Sequence, residues 1–135
     1  MLVVDTHADT TQRMIFDGFF DTYSRLKIIG AHGGGSLPFL IARMDQCFDN
    51  IPACKEKIAR PPSDYLSRFY VDAVLFSHEA LALTRQVMGD QNILYGSDYP
   101  HTIGDLPGTI RRVDALPPAA KNLIRGGNAR RIFSL

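Results

Sequence analysis

The chain has 135 residues, 45% of them apolar, and a formal net charge of +1 with histidine neutral. This is the size of one domain with enough apolar content for a packed core. The balanced charge argues against a general nucleic-acid binder, which carries a basic excess or patch.

No apolar run approaches the roughly 20 residues of a membrane span. The N-terminal MLVVDTHAD lacks the basic segment and long apolar core of a signal peptide. Two cysteines, Cys47 and Cys54, make no disulfide framework and read as free thiols of a reducing compartment, hence a cytoplasmic location.

In chain order, Asp9 to Tyr23 reads as a helix, with Asp9, Thr10 or Thr11 as cap and Met14, Ile15, Phe19 and Phe20 near helical spacing. Leu26 to Ala31 is a short apolar run that reads as a buried strand. Leu37 to Phe48 reads as a helix, with Ser36 as N-cap, Pro38 in the first turn, and one stripe of Leu37, Leu40, Ile41, Met44 and Phe48. After a looser stretch holding Pro52, Pro61 and Pro62, Arg68 to Leu75 is a second strand. Glu79 to Met88 is a helix ended by Gly89, and Asn92 to Gly96 a third strand. Prolines break the tail, and Asn128 is expected to cap a last short helix. Helices alternate with strands throughout, which predicts a parallel α/β sheet in a single domain, residues 1–135.

Two strands end in polar, glycine-flanked segments: Ala31-His32-Gly33-Gly34-Gly35, and Gly96-Ser97-Asp98-Tyr99-Pro100-His101. In parallel α/β folds the carboxyl ends of the strands share one face, and that face hosts the active site. His32 and Asp98 are therefore expected to converge. An imidazole and a carboxylate suit zinc or a similar divalent ion; they equally suit a base and its orienting carboxylate.

The glycine run fits no nucleotide motif: a G-x-G-x-x-G read from Gly33 fails at Pro38, and no Gly-Lys-Ser/Thr follows. Nor is there a G-x-S-x-G nucleophile elbow to go with an HGGG oxyanion loop. His78, at the start of a helix, and His101, two residues past Tyr99, are candidate pocket residues; helix capping or solvent exposure suits His78 better, and a plain loop position suits His101 equally well. Gly33 is expected to keep the turn small, so that a substrate can approach the backbone. Asp72 reads as a buried, hydrogen-bonded carboxylate, and Arg111, Arg112, Arg130 and Arg131 as solvated helix faces.

Taken together and in this order, LKIIGAHGGGSLPFLIARMD, SDYLSRFYVDAV, ILYGSDYPH and GGNARRIF resemble the C-terminal half of the amidohydrolase-related metal-dependent decarboxylases, the family of the aminocarboxymuconate-semialdehyde and γ-resorcylate decarboxylases. The resemblance implies a (β/α)8 TIM-type barrel, of which this chain holds about three βα units plus C-terminal helices. It implies one divalent metal, zinc, at the carboxyl ends of the strands. His32 resembles the active-site histidine of the sixth strand, the proton donor or base that activates a metal-bound water. Asp98 resembles the metal-ligating aspartate after the eighth. The implied reaction is loss of CO2 from an unsaturated or aromatic carboxylic acid, or hydrolysis through the same metal-bound water.

A barrel of this type takes roughly 250 residues. The first four strands, and most or all of the fifth, are expected to lie outside this sequence. His7, in Asp5-Thr6-His7-Ala8-Asp9, has the form of a first-strand metal motif. The preferred reading sets Asp9-Thr10-Thr11 at the start of the family's fifth helix and His7 in the loop before it, with His7 kept as a candidate pocket residue. Open sheet edges predict a homo-oligomer. The alternative function is an inactive, truncated relative that persists as an oligomer or binding module.

Overall fold

The computed structural model of the protein describes residues 2–4 and 8–135. Four strands form one parallel sheet: β1 (Leu2–Val4), β2 (Ile28–Gly30), β3 (Phe69–Asp72) and β4 (Ile93–Leu94), in the order β1-β2-β3-β4. Parallel neighbours need a crossover, and helices supply each one. α1 (Ala8–Phe16) and α2 (Phe19–Thr22) lie between β1 and β2, α3 (Leu37–Asn50) between β2 and β3, and α4 (His78–Met88) between β3 and β4. After β4 come α5 (Leu106–Asp114), α6 (Pro118–Asn122), a π-helical turn, and α7 (Asn128–Phe133).

The expected parallel α/β arrangement is found, with one more strand than expected. Leu2–Val4 pairs in register with Ile28–Gly30. An apolar tripeptide beside a buried strand gains backbone hydrogen bonds along the ladder, and so Leu2–Val4 is a strand of this sheet.

Period-two alternation sorts the strand side chains onto two faces. Ile28, Phe69, Val71 and Ile93 are buried in the main core with Ile15 and Phe20 of the first helices, Leu37, Ile41 and Met44 of α3, and Leu81 and Met88 of α4. Ile29, Tyr70 and Leu94 alternate with them and form a second cluster, covered by Ile132 of α7. Both faces are thus buried, which is why these strands read as continuous apolar runs.

Several boundaries move for identifiable reasons. The expected helix from Asp9 to Tyr23 is two helices, because Gly18 adopts φ 72° between them and a Cβ there would strike the Lys57 carbonyl. Asp9, Thr10 and Thr11 lie within α1 rather than before it. Ser36 does precede α3, but its hydroxyl caps no backbone N–H. The unforeseen cap is Ser77, which accepts from the Ala80 N–H at 3.0 Å, so α4 begins at His78.

Asn128 is also not a cap. It is fully buried, and its Nδ2 donates to the carbonyls of Asp90 and Ile93, both at 2.7 Å. Arg112 is buried too, against the expectation of a solvated helix face, and its guanidinium donates to Asp105 and Thr109. Arg111, Arg130 and Arg131 are exposed as expected.

Candidate active site

β2 leaves the sheet through Ala31 into a left-handed turn. His32, Gly33, Gly34 and Gly35 have φ of 54°, 65°, 82° and 61°. Glycine takes this region without penalty, whereas an L side chain costs about 1–2 kcal/mol there. Space demands glycine as well: a Cβ on Gly33 would meet the Leu75 side chain at 2.7 Å, and one on Gly34 would meet Val71 Cγ1 at 2.8 Å. The glycine run therefore lets a tight turn sit directly on β3. The Gly33 N–H is not presented to a ligand; it donates to Asp72 Oδ1 at 3.0 Å.

β4 leaves through Gly96 into a second left-handed residue, Asp98, with φ 61°. Among the described residues only His32, Asp98 and Ser134 combine a side chain with positive φ. Two of these three are the residues singled out as chemical, and strain of this kind gathers at functional sites. The loop after Asp98 is tightly wound. His101 N donates to Asp98 O at 2.8 Å, Gly104 N to His101 O at 2.9 Å, and Tyr99 N to Ser97 Oγ at 3.3 Å. The Tyr99–Pro100 peptide is cis.

These two turns bring His32 Nε2 to 3.5 Å from Asp98 Oδ1. The Asp98 side chain is only 9% exposed and the His32 side chain 51%. A largely desolvated carboxylate favours a cation beside it, and a half-open imidazole can still meet a ligand from solvent. Chemically the pair can hold a divalent ion in part, or orient an imidazole for proton transfer.

The other candidates fall in different places. His101 is exposed and lines a cleft of about 400 Å³ with Ser97, Tyr99, Gly104 and Leu106. His78 is exposed in the first turn of α4, while Ser77 performs the capping. His7 lies outside the described residues. Tyr99, 88% exposed at the rim of the cleft, had no signal in the sequence beyond its place in the GSDYP loop. Asp72, expected as a buried, hydrogen-bonded carboxylate, is hydrogen-bonded but only half-buried. Which backbone it would hold was not legible, because its partner Gly33 lies 39 residues away in the turn after β2.

Comparison with known proteins places this geometry. A family model described as Amidohydrolase matches residues 2–135. A 2-amino-3-carboxymuconate-6-semialdehyde decarboxylase of Dictyostelium discoideum is 36% identical over 125 residues, covering 90% of this chain and 35% of the relative. Among solved structures, the 5-carboxyvanillate decarboxylase LigW of Sphingomonas paucimobilis superposes with a TM-score of 0.81 at 31% identity, over 95% of this chain and 39% of that one. A dihydroxybenzoic acid decarboxylase of Polaromonas, solved with manganese and the inhibitor 2-nitroresorcinol, has a TM-score of 0.79 at 26% identity, over 93% and 39%. The chain thus spans little more than a third of the proteins it matches. With a family model along nearly its whole length, and with decarboxylases among the proteins it resembles in sequence and fold, the chain belongs to the amidohydrolase family.

Proposed function

We propose that the chain supplies part of the active site of a metal-dependent decarboxylase, or related hydrolase, acting on an unsaturated or aromatic carboxylic acid. Its four strands are then part of an eight-stranded βα barrel. The observation that carries this reading is the approach of His32 to Asp98 on two strained turns at the carboxyl ends of β2 and β4. In a barrel the edges of β1 and β4 pair with further strands, from the same polypeptide or from a second copy in an oligomer.

The donors suit a divalent ion in kind: a hard carboxylate oxygen from Asp98 and an imidazole nitrogen nearby. In number they fall short. No group of three His, Cys, Asp or Glu converges among the described residues, whereas a catalytic zinc takes three protein ligands. Asp98 would hold the ion together with further donors, His7 being one candidate. Bound there, the ion would supply Lewis-acid stabilisation of negative charge on the substrate.

The remaining work falls to the chain's own groups. His32, as imidazolium, gives its Nε2 proton to the carbon that bears the carboxylate. The bond from that carbon to the carboxylate carbon then breaks, its electrons return to the unsaturated system, and CO2 leaves. Asp98, with Oδ1 3.5 Å from Nε2, would orient the ring for that transfer. The cleft formed by Ser97, Tyr99, His101, Gly104 and Leu106 offers an aromatic and apolar rim for the ring of the substrate.

The test is CO2 release by the metal-loaded protein over a panel of aromatic and unsaturated carboxylic acids. His32→Ala should lower turnover by about 10²-fold or more, the usual worth of a general acid or base. Asp98→Asn should lower the metal content. Unchanged turnover in the histidine variant would remove the catalytic assignment.

A further inference from the structure

Asp72 ends β3, the strand lying between the two that carry His32 and Asp98. Its Oδ1 accepts from two backbone donors, Gly33 N and Val74 N, both at 3.0 Å. The Val74 bond is local, two residues on, and bends the chain out of β3. The Gly33 bond crosses to the turn after β2. The Gly33 N–H belongs to the peptide plane that joins His32 to Gly33, so whatever holds that N–H restrains ψ of His32.

On its other side Asp72 lies close to Gly96, two residues past the end of β4. A Cβ on Gly96 would meet Asp72 Cβ at 3.2 Å and Val74 Cγ2 at 2.8 Å. Gly96 stands two residues before Asp98. One aspartate therefore bonds the backbone of the first strained turn and leaves room only for glycine on the approach to the second. It also offsets the cost of His32 at φ 54° with a charge-assisted hydrogen bond, the stronger class of such bonds.

We infer that Asp72 is a positioning residue of the candidate active site, holding His32 in its left-handed conformation, facing Asp98, through the Gly33 N–H. The consequence for turnover rests on the proposed role of His32; the structural part does not.

Two readouts separate the claims. Amide hydrogen exchange on this chain should show Gly33 protected. In Asp72→Ala its exchange should rise by about tenfold or more, the loss of one local hydrogen bond. In Asp72→Asn protection should persist, because the amide oxygen still accepts. In the metal-loaded enzyme, Asp72→Ala should lower kcat by about 10²-fold with KM within about threefold, as for a catalytic group displaced by about 1 Å. Asp72→Asn should recover most of that loss.

An unprotected Gly33 amide in the unmutated chain overturns the inference. So does an unchanged kcat in Asp72→Ala, or an Asp72→Asn variant as impaired as the alanine. If Asp72→Ala does not fold, the unmutated chain and Asp72→Asn still decide it. If His32→Ala leaves turnover intact, the functional reading falls, and the Gly33 exchange still decides whether Asp72 holds the turn.

Discussion

At the amino ends of the strands, side chains close onto backbone carbonyls. Lys27 donates to Ile132 O, Arg68 to Phe20 O and Tyr23 O, Asn92 to Leu66 O and Met88 O, and Asn128 to Asp90 O and Ile93 O. α7 lies across this end and covers the second sheet face with Ile132. At the carboxyl ends the backbone is bent instead into positive φ at His32 and Asp98, and the loop around Asp98 lines an exposed cleft with Ser97, Tyr99 and His101. One end gains stability from hydrogen bonds that release no function. The other spends stability on two side chains held in costly conformations. Parallel α/β proteins separate the two tasks in this way, and substitutions at the two ends should accordingly have opposite signatures.

The largest expected effect lies at the carboxyl end. His32→Gly should abolish proton transfer, a loss of about 10²-fold or more in turnover. It should leave stability equal or higher by about 1 kcal/mol, since glycine takes φ 54° without strain. Parallel turnover and urea-unfolding measurements check both; a large loss of stability would break the contrast.

Asn128→Ala should show the reverse. One buried and one part-buried carbonyl lose their donor, so unfolding free energy should fall by about 2–3 kcal/mol. Turnover per folded molecule should change little. A selective loss of turnover would show that the amino end is not merely structural.

Gly34→Ala sharpens the comparison from inside the turn. It combines positive φ with a Cβ 2.8 Å from Val71 Cγ1. It should destabilise by about 1–3 kcal/mol through overpacking and strain, and lower turnover as well by displacing the turn that follows His32.

The smallest effect is electrostatic. Asp105 caps α5 by accepting from the Gly108 N–H at 2.8 Å. That bond, with Arg112 and Arg111 nearby, holds its carboxyl below the ordinary value of 3.8, against a smaller opposing effect of burial. A lowered folded pKa means that its contribution is fully present above 3.8 and is lost as pH falls below that through the folded value. Unfolding measured from about pH 5 down to about pH 2 should show this slope, and Asp105→Asn should flatten it.

How much of this was legible beforehand follows the range of the interactions. α3 and α4 were readable because Leu37, Ile41 and Met44, or Leu81 and Met88, repeat at helical spacing. β2 was readable as an apolar run, though only Ile28–Gly30 of it pairs. Leu2–Val4 was missed as a strand of the sheet because three apolar residues carry no period; only pairing with β2 makes them one. Asn128 and Arg112 were misread for a related reason. Polar residues in helices look solvated until the fold brings carbonyls or a carboxylate against them.

By itself the sequence determined the alternation of helix and strand, and it placed His32 and Asp98 just past strands that end on one face, since local periodicity and glycine punctuation are written in neighbouring residues. Only the tertiary structure decided that the two side chains stand 3.5 Å apart, that Asp72 of the intervening strand holds the Gly33 amide, and that both candidate chemical residues take left-handed backbone. Those facts depend on the register of β2, β3 and β4, and register is a relation between distant segments that no single segment encodes.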